Sequence, residues 1–578
     1  MTSHSSPVAL SPQQRARLDR WVALDPDPAT AGELQHLADD DPAATLALFD
    51  GRIGFGTAGL RAEMGPGPMR MNRLVVRQTT AGLLRYLPPG PTVVIGYDAR
   101  HNSEVFARDT AAVVAGAGGR AELLPKPLPT PVLARAVLDR NADAGIMITA
   151  SHNPAADNGY KLYLADGIQL VAPADATIAA AIDEVAAAMA DLSITAADAR
   201  AVIPLDPDAV IELDDEAAAR HLEVAVEACV GTNRSVNVLY TAMHGVGGEH
   251  LLAAFAAAGF PAPEVVPEQF APDPDFPTAR FPNPEEQGAL DLAFAAAETA
   301  TGESRTVDVI LANDPDADRL AVAVLDRHGR WTRLTGDQVG VLLADHLLKK
   351  TTGSDRLVAS SLVSSRLISA IAEAGGVAEE RTLTGFKWVA RPIVDQPHKR
   401  FVLGYEEALG YCVGDRVRDK DGISAALVMA ELVAEAVAVG ESLFDRLDRL
   451  AVEHGVHLTR PVTLLFTGSD GPNVRTEAMN RARTNPPDRL AGVVVERVED
   501  LAVGGPLPPT DGVVWHLADR SRVVIRPSGT EPKLKAYLEV IEPVDEGALE
   551  PATQRATNRL EALATAVETL LRDSVGAA

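Results

Sequence analysis

One serine stands where covalent chemistry is expected, directly after a short apolar strand. The segment AGIMITASHNP, 144–154, predicts a buried strand that ends in a polar loop, and Ser151 lies in that loop. A serine hydroxyl is a weak nucleophile unless a neighbouring group activates it, and His152 and Lys161 are the candidates close by in the sequence. The pattern therefore indicates nucleophilic catalysis at Ser151, whereas an isolated Ser-His pair would indicate only a turn.

Three aspartates alternate in the loop NDPDADR, which follows another predicted strand. In a tight loop Asp314, Asp316 and Asp318 converge, and their mutual repulsion favours a hard cation. A calcium EF-hand is excluded because its loop needs glycine at the sixth position and an acid at the twelfth, where this chain has Arg319 and Leu325. Three carboxylates with a phosphate oxygen suit Mg²⁺, and Arg319 could hold that phosphate beside the metal.

Two further loops suit a phosphorylated sugar. The segment GYEEALGY carries the adjacent acids Glu406 and Glu407, whose carboxylates can accept hydrogen bonds from neighbouring sugar hydroxyls. The segment RPSGTEPKLK combines backbone N–H groups, hydroxyls and basic side chains in a short turn, which is typical of a phosphate site. The candidate phosphate-binding residues in this turn are Arg526, Ser528, Gly529, Thr530 and Lys535.

The glycine pattern GFGTAG, 54–59, resembles a dinucleotide-binding fingerprint but does not satisfy its requirements. That fingerprint needs a preceding strand and an acid about 20 residues later. The preceding segment TLALFDGRI is typical of a helix, and the downstream positions hold Thr79 and Leu84. Arg61, directly after the glycines, is instead a candidate phosphate contact.

These loops need a scaffold that presents strand ends side by side. Each follows a short β-branched apolar run, and such runs alternate with alanine-rich helical stretches, so the sequence predicts α/β units in series. The region 461–541 differs, because it indicates short strands with turns, followed by an amphipathic helix over about 552–572. The 578 residues therefore predict several α/β domains and a C-terminal α+β domain.

The charge balance limits the partners. The formal net charge is −27, which disfavours a nucleic-acid partner because such binders carry a basic surface. A protein this acidic must place a metal or local positive charge wherever it handles phosphate. Only nine of the 53 basic residues are lysine, so a lysine marks a place where a compact ammonium group is wanted.

The sequence also bears on location. Cys229 and Cys412 lie far apart and indicate no disulfide framework, so a reducing compartment is expected. The first residues lack the pattern of a signal peptide, and no apolar stretch reaches the roughly 18 residues of a membrane span. We predict a cytoplasmic protein without a membrane partner.

Taken in order, TASHNP, DPDADR, GYEEALGY and RPSGTEPK resemble the motifs of the α-D-phosphohexomutase superfamily, which includes phosphoglucomutases and phosphomannomutases. The segments GFGTAGLRAEMGPGPMRMN, YTAMHGVGG and LTGFKWVA are similar to the branch that contains phosphoglucomutase-2 and phosphopentomutase. The resemblance implies three related α/β domains and a C-terminal α+β domain around a central active-site cleft. The expected boundaries are 1–215, 216–330, 331–455 and 456–578.

The resemblance also implies roles for single residues. Ser151 would carry the phosphoryl group, and its phosphate would join Asp314, Asp316 and Asp318 in binding Mg²⁺. Lys387, in the segment TGFK, would lie near the sugar. The other expected ligands are a small phosphosugar substrate and a hexose 1,6-bisphosphate that serves as intermediate and activator, and the chain would be a monomer or a homodimer.

The expected reaction interconverts hexose 1-phosphate and hexose 6-phosphate, with glucose preferred and mannose accepted. Lys161 is the candidate for proton transfer, because a lysine that lies among other cations can lose its proton. Arg61 and Arg319 would add positive charge. Ala408 follows the two acids where many phosphoglucomutases have serine, and Tyr411 stands where phosphomannomutases often have histidine, so the preferred sugar stays open. The alternatives are a phosphopentomutase, a glucose 1,6-bisphosphate synthase, a metal-dependent sugar phosphatase or a non-catalytic phosphosugar-binding protein.

Overall fold

The structure is a computed structural model that describes residues 10–56, 59–466, 471–527, 533–545 and 548–576. Within these ranges the chain forms α-helices, β-strands and one short 3₁₀ helix, Pro207–Ala209. The first three helices below lie within residues 11–50. The buried strand expected before Ser151 is confirmed as β4, and the strand expected before the aspartates as β9.

The helices are α1 Pro12–Leu24, α2 Pro28–Asp40, α3 Pro42–Ala47, α4 Arg73–Tyr86, α5 Ser103–Gly116, α6 Thr130–Asp139, α7 Ala174–Ala190, α8 Ala196–Ala201, α9 Glu216–Glu227, α10 Gly247–Ala257, α11 Pro267–Phe270, α12 Asp291–Gly302, α13 Gly336–Lys350, α14 Leu367–Ala374, α15 Phe386–Ala390, α16 Pro392–Asp395, α17 Gly422–Ala438, α18 Leu443–His454, α19 Gly471–Thr484 and α20 Leu549–Gly576. The strands are β1 Leu60–Glu63, β2 Thr92–Tyr97, β3 Arg120–Leu123, β4 Ala144–Ile148, β5 Asp157–Leu164, β6 Ile211–Glu212, β7 Val238–Thr241, β8 Glu264–Val265, β9 Val309–Ala312, β10 Ala321–Leu325, β11 Trp331–Arg333, β12 Arg356–Ser361, β13 Ala378–Thr382, β14 Arg400–Glu406, β15 Gly410–Val413, β16 Val456–Leu465, β17 Arg489–Leu490, β18 Val493–Asp500, β19 Val513–Leu517, β20 Arg522–Pro527 and β21 Lys533–Glu542.

The chain divides into two compact units, and the first comprises residues 1–323 and 410–431. Its larger sheet has the strand order β1-β5-β4-β2-β3-β6, in which β2 runs parallel to β3 and β4 while β5 runs antiparallel to β4 and β1. In its second sheet β7 runs parallel to β8 and β9, and β10 runs antiparallel to β9. Both sheets are mixed, and helices connect the successive strands that run parallel, as expected for α/β units.

The second unit comprises residues 324–409 and 432–578. Here β12 runs parallel to both β13 and β14. A separate antiparallel sheet has the order β16-β21-β20-β19-β18-β17. The fold class, α/β with a C-terminal α+β part, is confirmed, but two of the C-terminal strands are long rather than short, at 10 residues each. The division into four domains at the expected boundaries stays a prediction.

Two glycines next to the serine loop allow backbones to approach closely. A Cβ atom on Gly59, which has a φ of +77°, would lie 1.9 Å from the carbonyl oxygen of Tyr160. A Cβ atom on Gly159 would lie 2.5 Å from the carbonyl oxygen of Thr149. These contacts let β1 pair with β5 so that Arg61 lies opposite Gly159. Gly59 therefore has a packing role, in agreement with the rejected dinucleotide interpretation.

Within the described ranges no single helix is long and apolar enough to cross a membrane. One bent pair, α17 with α18, meets the length and composition requirements when its two helices are taken together.

Three buried polar side chains in the first unit form a chain that no sequence motif indicates. Asp421 Oδ2 lies 3.0 Å from His221 Nε2, and His221 Nδ1 lies 2.9 Å from His250 Nε2. Burial, and after it the neighbouring His221, lowers the pKa of His250 from 6.5 to about 3. Asp421 and Lys126 also act on this histidine, with opposite signs. His250 is therefore neutral in the folded protein at neutral pH.

This burial predicts that acid destabilises the protein. When the pH falls below 6.5, unfolded His250 binds a proton and folded His250 does not, so the free energy of unfolding decreases until the pH approaches 3. Between pH 6.5 and pH 5 the expected loss is about 2 kcal/mol. Urea unfolding of the wild type and of His250→Gln at several pH values measures it. His328→Gln, at an exposed position, is the control, and equal pH dependence in all three proteins would contradict the expectation.

Candidate active site

The proposed nucleophile lies in a strained turn directly after β4. Ser151 has a φ of +53°, in the left-handed region that few residues other than glycine adopt, and its side chain is buried. Its backbone N–H donates a hydrogen bond to Thr149 Oγ1 at 2.8 Å. The surrounding contacts therefore maintain a conformation that the isolated loop would not favour.

The hydroxyl group of Ser151 faces the acidic loop. It donates a hydrogen bond to Asp314 Oδ2 at 2.9 Å, and its oxygen lies 3.1 Å from His152 Nδ1. Two of the segments singled out in the sequence, about 160 residues apart, thus meet at one hydroxyl group. A serine side chain that pointed away from the aspartates would have ruled out the expected chemistry.

The three aspartates converge as expected. The oxygens of Asp314, Asp316 and Asp318 that could bind a metal lie within 4.8 Å of one another, and all three side chains are buried. Ala317, with a φ of +55°, forms the tight turn between them. The Asn313 amide closes the loop by donating a hydrogen bond to the carbonyl oxygen of residue 319 at 2.6 Å.

The donor set fits a divalent cation. The Oδ1 atoms of Asp316 and Asp318 are buried, and neither has a hydrogen-bond partner among the described residues. A buried carboxylate oxygen without a partner is costly, and a hard cation would satisfy both atoms. The group can therefore hold a metal ion that prefers oxygen ligands.

Basic and hydroxyl groups balance the other carboxylate oxygens. Lys161 Nζ donates hydrogen bonds to Asp316 Oδ2 at 2.6 Å and to Asp318 Oδ2 at 2.8 Å. The Thr130 hydroxyl donates to Asp316 Oδ2 at 2.6 Å, and Lys420 Nζ lies 3.1 Å from Asp318 Oδ2. The triplet therefore lies within a network of donors, which lowers the cost of burying three acids.

This network separates the three pKa values. Burial, and then the neighbouring carboxylates, raise the pKa of Asp314 well above its usual value. Burial acts in the same direction on Asp316, but Lys161 and Thr130 outweigh it and lower the pKa of that carboxyl group. Ion pairs likewise outweigh burial at Asp318 and lower its pKa. Asp314, which accepts the hydrogen bond from the Ser151 hydroxyl, is thus the most easily protonated of the three acids.

Two arginines add positive charge beside the serine loop. Arg61 donates a hydrogen bond to Asn153 Oδ1 at 3.0 Å, and the backbone N–H of Arg319 donates to Asp314 Oδ1 at 3.0 Å. Burial, followed by the charges of Arg319 and Arg61, holds the pKa of His152 well below its usual value. His152 is therefore neutral, and a ring nitrogen of it can accept a hydrogen bond.

The predicted sugar-binding acids lie in the second unit, where each is held by neighbouring donors. Glu406 Oε1 accepts a hydrogen bond from the Gly385 N–H at 2.6 Å. Glu407 Oε2 accepts from the hydroxyl groups of Ser361 at 3.2 Å and Ser364 at 3.3 Å. The carboxylates of both glutamates are therefore oriented by contacts within this unit.

Two other predicted residues of the second unit lie on paired strands. Arg526, near the end of β20, lies opposite Lys535 on β21 in the antiparallel register. Lys387 is buried in the short helix α15. The predicted phosphate contacts Ser528, Gly529 and Thr530 lie outside the described residues.

Comparison with known proteins identifies the family. Residues 52–189, 219–329 and 335–451 match the alpha/beta/alpha domains I, II and III of phosphoglucomutase/phosphomannomutase, and 479–550 match its C-terminal domain. The chain belongs to the phosphoglucomutase/phosphomannomutase family. This membership confirms the expected enzyme class, a phosphosugar mutase that acts on small phosphorylated sugars.

Several relatives match this mutase over most of its length. A "probable phosphomannomutase" of Haemophilus influenzae is 44% identical over 478 residues, which cover 82% of this chain and 93% of that protein. A "probable phosphoribomutase" of Schizosaccharomyces pombe is 36% identical over 575 residues, which cover 92% and 94%. The solved open form of parafusin, a phosphoglucomutase of Paramecium, has a TM-score of 0.62 and 18% identity and covers 88% of this chain and 95% of its own. That structural likeness supports the fold.

One sequence-based argument about this mutase needs correction. Lys161 was expected to lose its proton because it would lie among other cations. Burial does favour the neutral amine, but Asp316 and Asp318 outweigh it and raise the pKa of Lys161 above its usual value. The side chain is therefore a protonated donor, although Lys420 is close by as a second cation.

The sequence analysis missed Arg100, which holds the serine loop. Its guanidinium donates to the backbone carbonyl oxygens of Ser151 at 2.5 Å, Asn153 at 2.6 Å, Pro154 at 2.8 Å and Asp157 at 3.3 Å. Arg100 follows β2, as Ser151 follows β4, and this position at the carboxyl end of a neighbouring parallel strand was the available signal.

Replacing Arg100 tests how strongly activity depends on this loop. We expect Arg100→Lys to lower kcat by about 10- to 100-fold, because one ammonium group cannot hold four carbonyl oxygens and a shift of about 1 Å in a reacting group has that effect. The control is Arg108→Lys, at an arginine that pairs with Glu104 and Glu212 on the surface. Mutase assays on both variants measure the effect, and a wild-type kcat in folded Arg100→Lys would contradict it.

Proposed function

We propose that this mutase interconverts hexose 1-phosphate and hexose 6-phosphate, with glucose as the preferred sugar and mannose accepted. The phosphoryl group would pass through Ser151 and a hexose 1,6-bisphosphate intermediate. One observation carries the proposal: the Ser151 hydroxyl donates to Asp314 at 2.9 Å, beside two carboxylate oxygens that have no partner among the described residues. A nucleophile beside three aspartates that can hold a metal ion suits phosphoryl transfer.

The reaction is a pair of phosphoryl transfers at one oxygen. In the first, the free hydroxyl oxygen of the bound monophosphate attacks the phosphorus of phosphorylated Ser151, the bond from phosphorus to Oγ breaks, and the substrate hydroxyl loses its proton. The resulting bisphosphate turns over. In the second, Ser151 Oγ attacks the other phosphate, and the sugar oxygen leaves and takes up a proton. The enzyme ends phosphorylated, as it began.

Asp314, Asp316 and Asp318 would hold Mg²⁺, together with an oxygen of the phosphate on Ser151. A divalent cation there supplies charge neutralisation for the transferring group. Arg61 and Arg319 would add to the same effect.

Two residues of the first unit are suited to proton transfer. His152, with Nδ1 3.1 Å from the serine oxygen, is placed to accept a proton, although burial and then the charges of Arg319 and Arg61 lower its pKa and make it a weak base. Lys161 is protonated between two carboxylates and is suited to donate one to a departing oxygen. We propose these roles in place of a deprotonated Lys161.

The second unit would recognise the sugar and its unreactive phosphate. We propose that Glu406 and Glu407 accept hydrogen bonds from O3 and O4, which exchange positions when the bisphosphate turns over. Lys387 would contact the sugar. Arg526 and Lys535, with Ser528, Gly529 and Thr530 of the same segment, would bind the phosphate that is not being transferred.

A pentose 1-phosphate is the second candidate substrate. The Schizosaccharomyces pombe relative, named for ribose, matches 92% of this chain at 36% identity, which supports a pentose phosphate as a substrate. A phosphopentomutase would use Ser151 and the aspartates in the same way and would differ only in the sugar.

Assays on purified protein test the proposal. With Mg²⁺ and a trace of glucose 1,6-bisphosphate, we expect glucose 1-phosphate to be converted faster than mannose, ribose or deoxyribose 1-phosphate. Ser151→Ala removes the attacking oxygen and should lower kcat by at least about 10⁴-fold. Radiolabel from the bisphosphate should remain on the wild-type protein and not on Ser151→Ala.

The outcomes separate the candidates. A wild-type rate in Ser151→Ala would remove the nucleophile. A faster rate with ribose 1-phosphate would keep the chemistry and replace hexose by pentose. Release of inorganic phosphate without an isomerised sugar phosphate would indicate a phosphatase.

The proposed hydrogen bonds from O3 and O4 to Glu406 and Glu407 predict how the enzyme treats epimers of glucose. Galactose 1-phosphate, changed at C4, should lose about 10- to 100-fold in kcat/KM relative to glucose 1-phosphate, because an unpaired buried carboxylate contact costs about 1–3 kcal/mol. Mannose 1-phosphate, changed at C2, should lose less. Glu406→Gln should narrow the difference between the two epimers. Equal kcat/KM values for galactose and mannose 1-phosphates would contradict these hydrogen bonds.

A further inference from the structure

A second cavity in the first unit lies apart from the residues discussed above as catalytic. Its volume is about 550 Å³, which is within the range of sites for small molecules. Its wall is mainly apolar and includes Leu128, Leu222, Val246 and Phe270. His250, on α10, also lines it. Neither Ser151 nor any residue of the acidic triplet is part of the lining.

The polar chain that ends at His250 starts from a carboxylate surrounded by donors. Asp421 Oδ1 accepts hydrogen bonds from the N–H groups of Ile423 at 3.0 Å and Ser424 at 3.1 Å. Its Oδ2 accepts from the Ser424 hydroxyl and faces His221 Nε2. Although burial opposes it, His221 and Ser424 lower the pKa of Asp421 below its usual value. Asp421 is therefore an ionised acceptor.

An ionised Asp421 next to a neutral His221 determines where both ring protons lie. Neutral His221 donates through Nε2 to the carboxylate, so its Nδ1 is an acceptor. His250 then donates through Nε2 to that nitrogen, across 2.9 Å. The Nδ1 atom of neutral His250 is consequently a hydrogen-bond acceptor, and it has no partner among the described residues.

The cavity thus combines an apolar wall with one hydrogen-bond acceptor, His250 Nδ1, whose tautomer is set by its neighbours. His250 is 7% exposed, so a ligand that contacts this ring would be almost completely removed from water there. At the cavity rim the exposed charges of Lys126 and Asp215 pair with each other at 2.8 Å, and the exposed acid Glu249 also lines the cavity. An anion is therefore disfavoured, and the mainly apolar wall favours an uncharged ligand.

We propose that this cavity is a second binding site, which takes a neutral, mainly apolar molecule that donates one hydrogen bond, from a hydroxyl or N–H group, to His250 Nδ1. Aromatic or alicyclic alcohols and amides belong to this class. The site does not depend on the mutase reaction, since none of the catalytic candidates lines it.

A matched pair of probes tests the donor requirement. 2-Naphthol and 2-methoxynaphthalene share the same apolar body, but only the first can donate a hydrogen bond. Titration of each into the full-length protein, followed by ligand-observed NMR, should show that 2-naphthol binds about 10-fold more tightly, as expected for one buried hydrogen bond.

Two variants locate the binding. His250→Phe keeps a ring and removes the acceptor, so the affinity ratio of the two probes should fall to about one. Ala253→Trp lies one helical turn from His250 in the same cavity and places a large side chain there, so the affinity of both probes should fall at least 10-fold. Because residue 253 lies outside the catalytic groups, kcat of this variant should stay at the wild-type value and report correct folding.

Several results would overturn the proposal. These are equal affinities of the two probes for the wild type, no detectable binding of either probe, a 10-fold ratio that persists in His250→Phe, and unchanged binding in Ala253→Trp. If His250→Phe does not fold, the comparison of both probes with wild type and Ala253→Trp still decides the question.

Discussion

Three carboxylates buried in one short loop are the constraint on which the rest of the first unit depends. Asp314, Asp316 and Asp318 are fully removed from water, and without compensation their repulsion would unfold the loop. Lys161 and Lys420 supply two ammonium groups, and the serine hydroxyl donates to Asp314, whose pKa is raised by burial and by the neighbouring carboxylates. Asp316 Oδ1 and Asp318 Oδ1 still lack a hydrogen-bond partner among the described residues, and a bound cation would satisfy both oxygens.

The whole protein is acidic, so the positive charges near Ser151 and the aspartates stand out from the rest of the chain. With a formal net charge of −27, the surface repels phosphorylated sugars at long range. Positive charge is therefore concentrated where it acts. Arg100 uses its guanidinium on backbone carbonyls to hold the serine turn, while Arg61 and Arg319 lie beside that turn and the acidic loop. Positioning and charge compensation are thus assigned to different arginines.

The sequence was sufficient to predict the strands that precede Ser151 and the aspartates, because short β-branched runs before polar loops have few other interpretations. It also predicted that these loops meet. It could not predict the charge state of Lys161, since that depends on which groups lie within 3 Å of the ammonium. The chain from Asp421 to His250 left no signal, because its members are 29 and 200 residues apart and belong to no motif.

In the proposed reaction, the first unit by itself would not distinguish one sugar from another. Its serine, aspartates and basic groups would act on a phosphoryl group, which is the same in mannose, glucose and ribose phosphates. Relatives named for mannose and for ribose can therefore match this chain at 44% and 36% identity over most of its length. Selectivity must come from groups that contact hydroxyls, and in the described residues the oriented carboxylates of Glu406 and Glu407 are suited to that role. Their geometry, rather than the nucleophile, would decide between hexose and pentose.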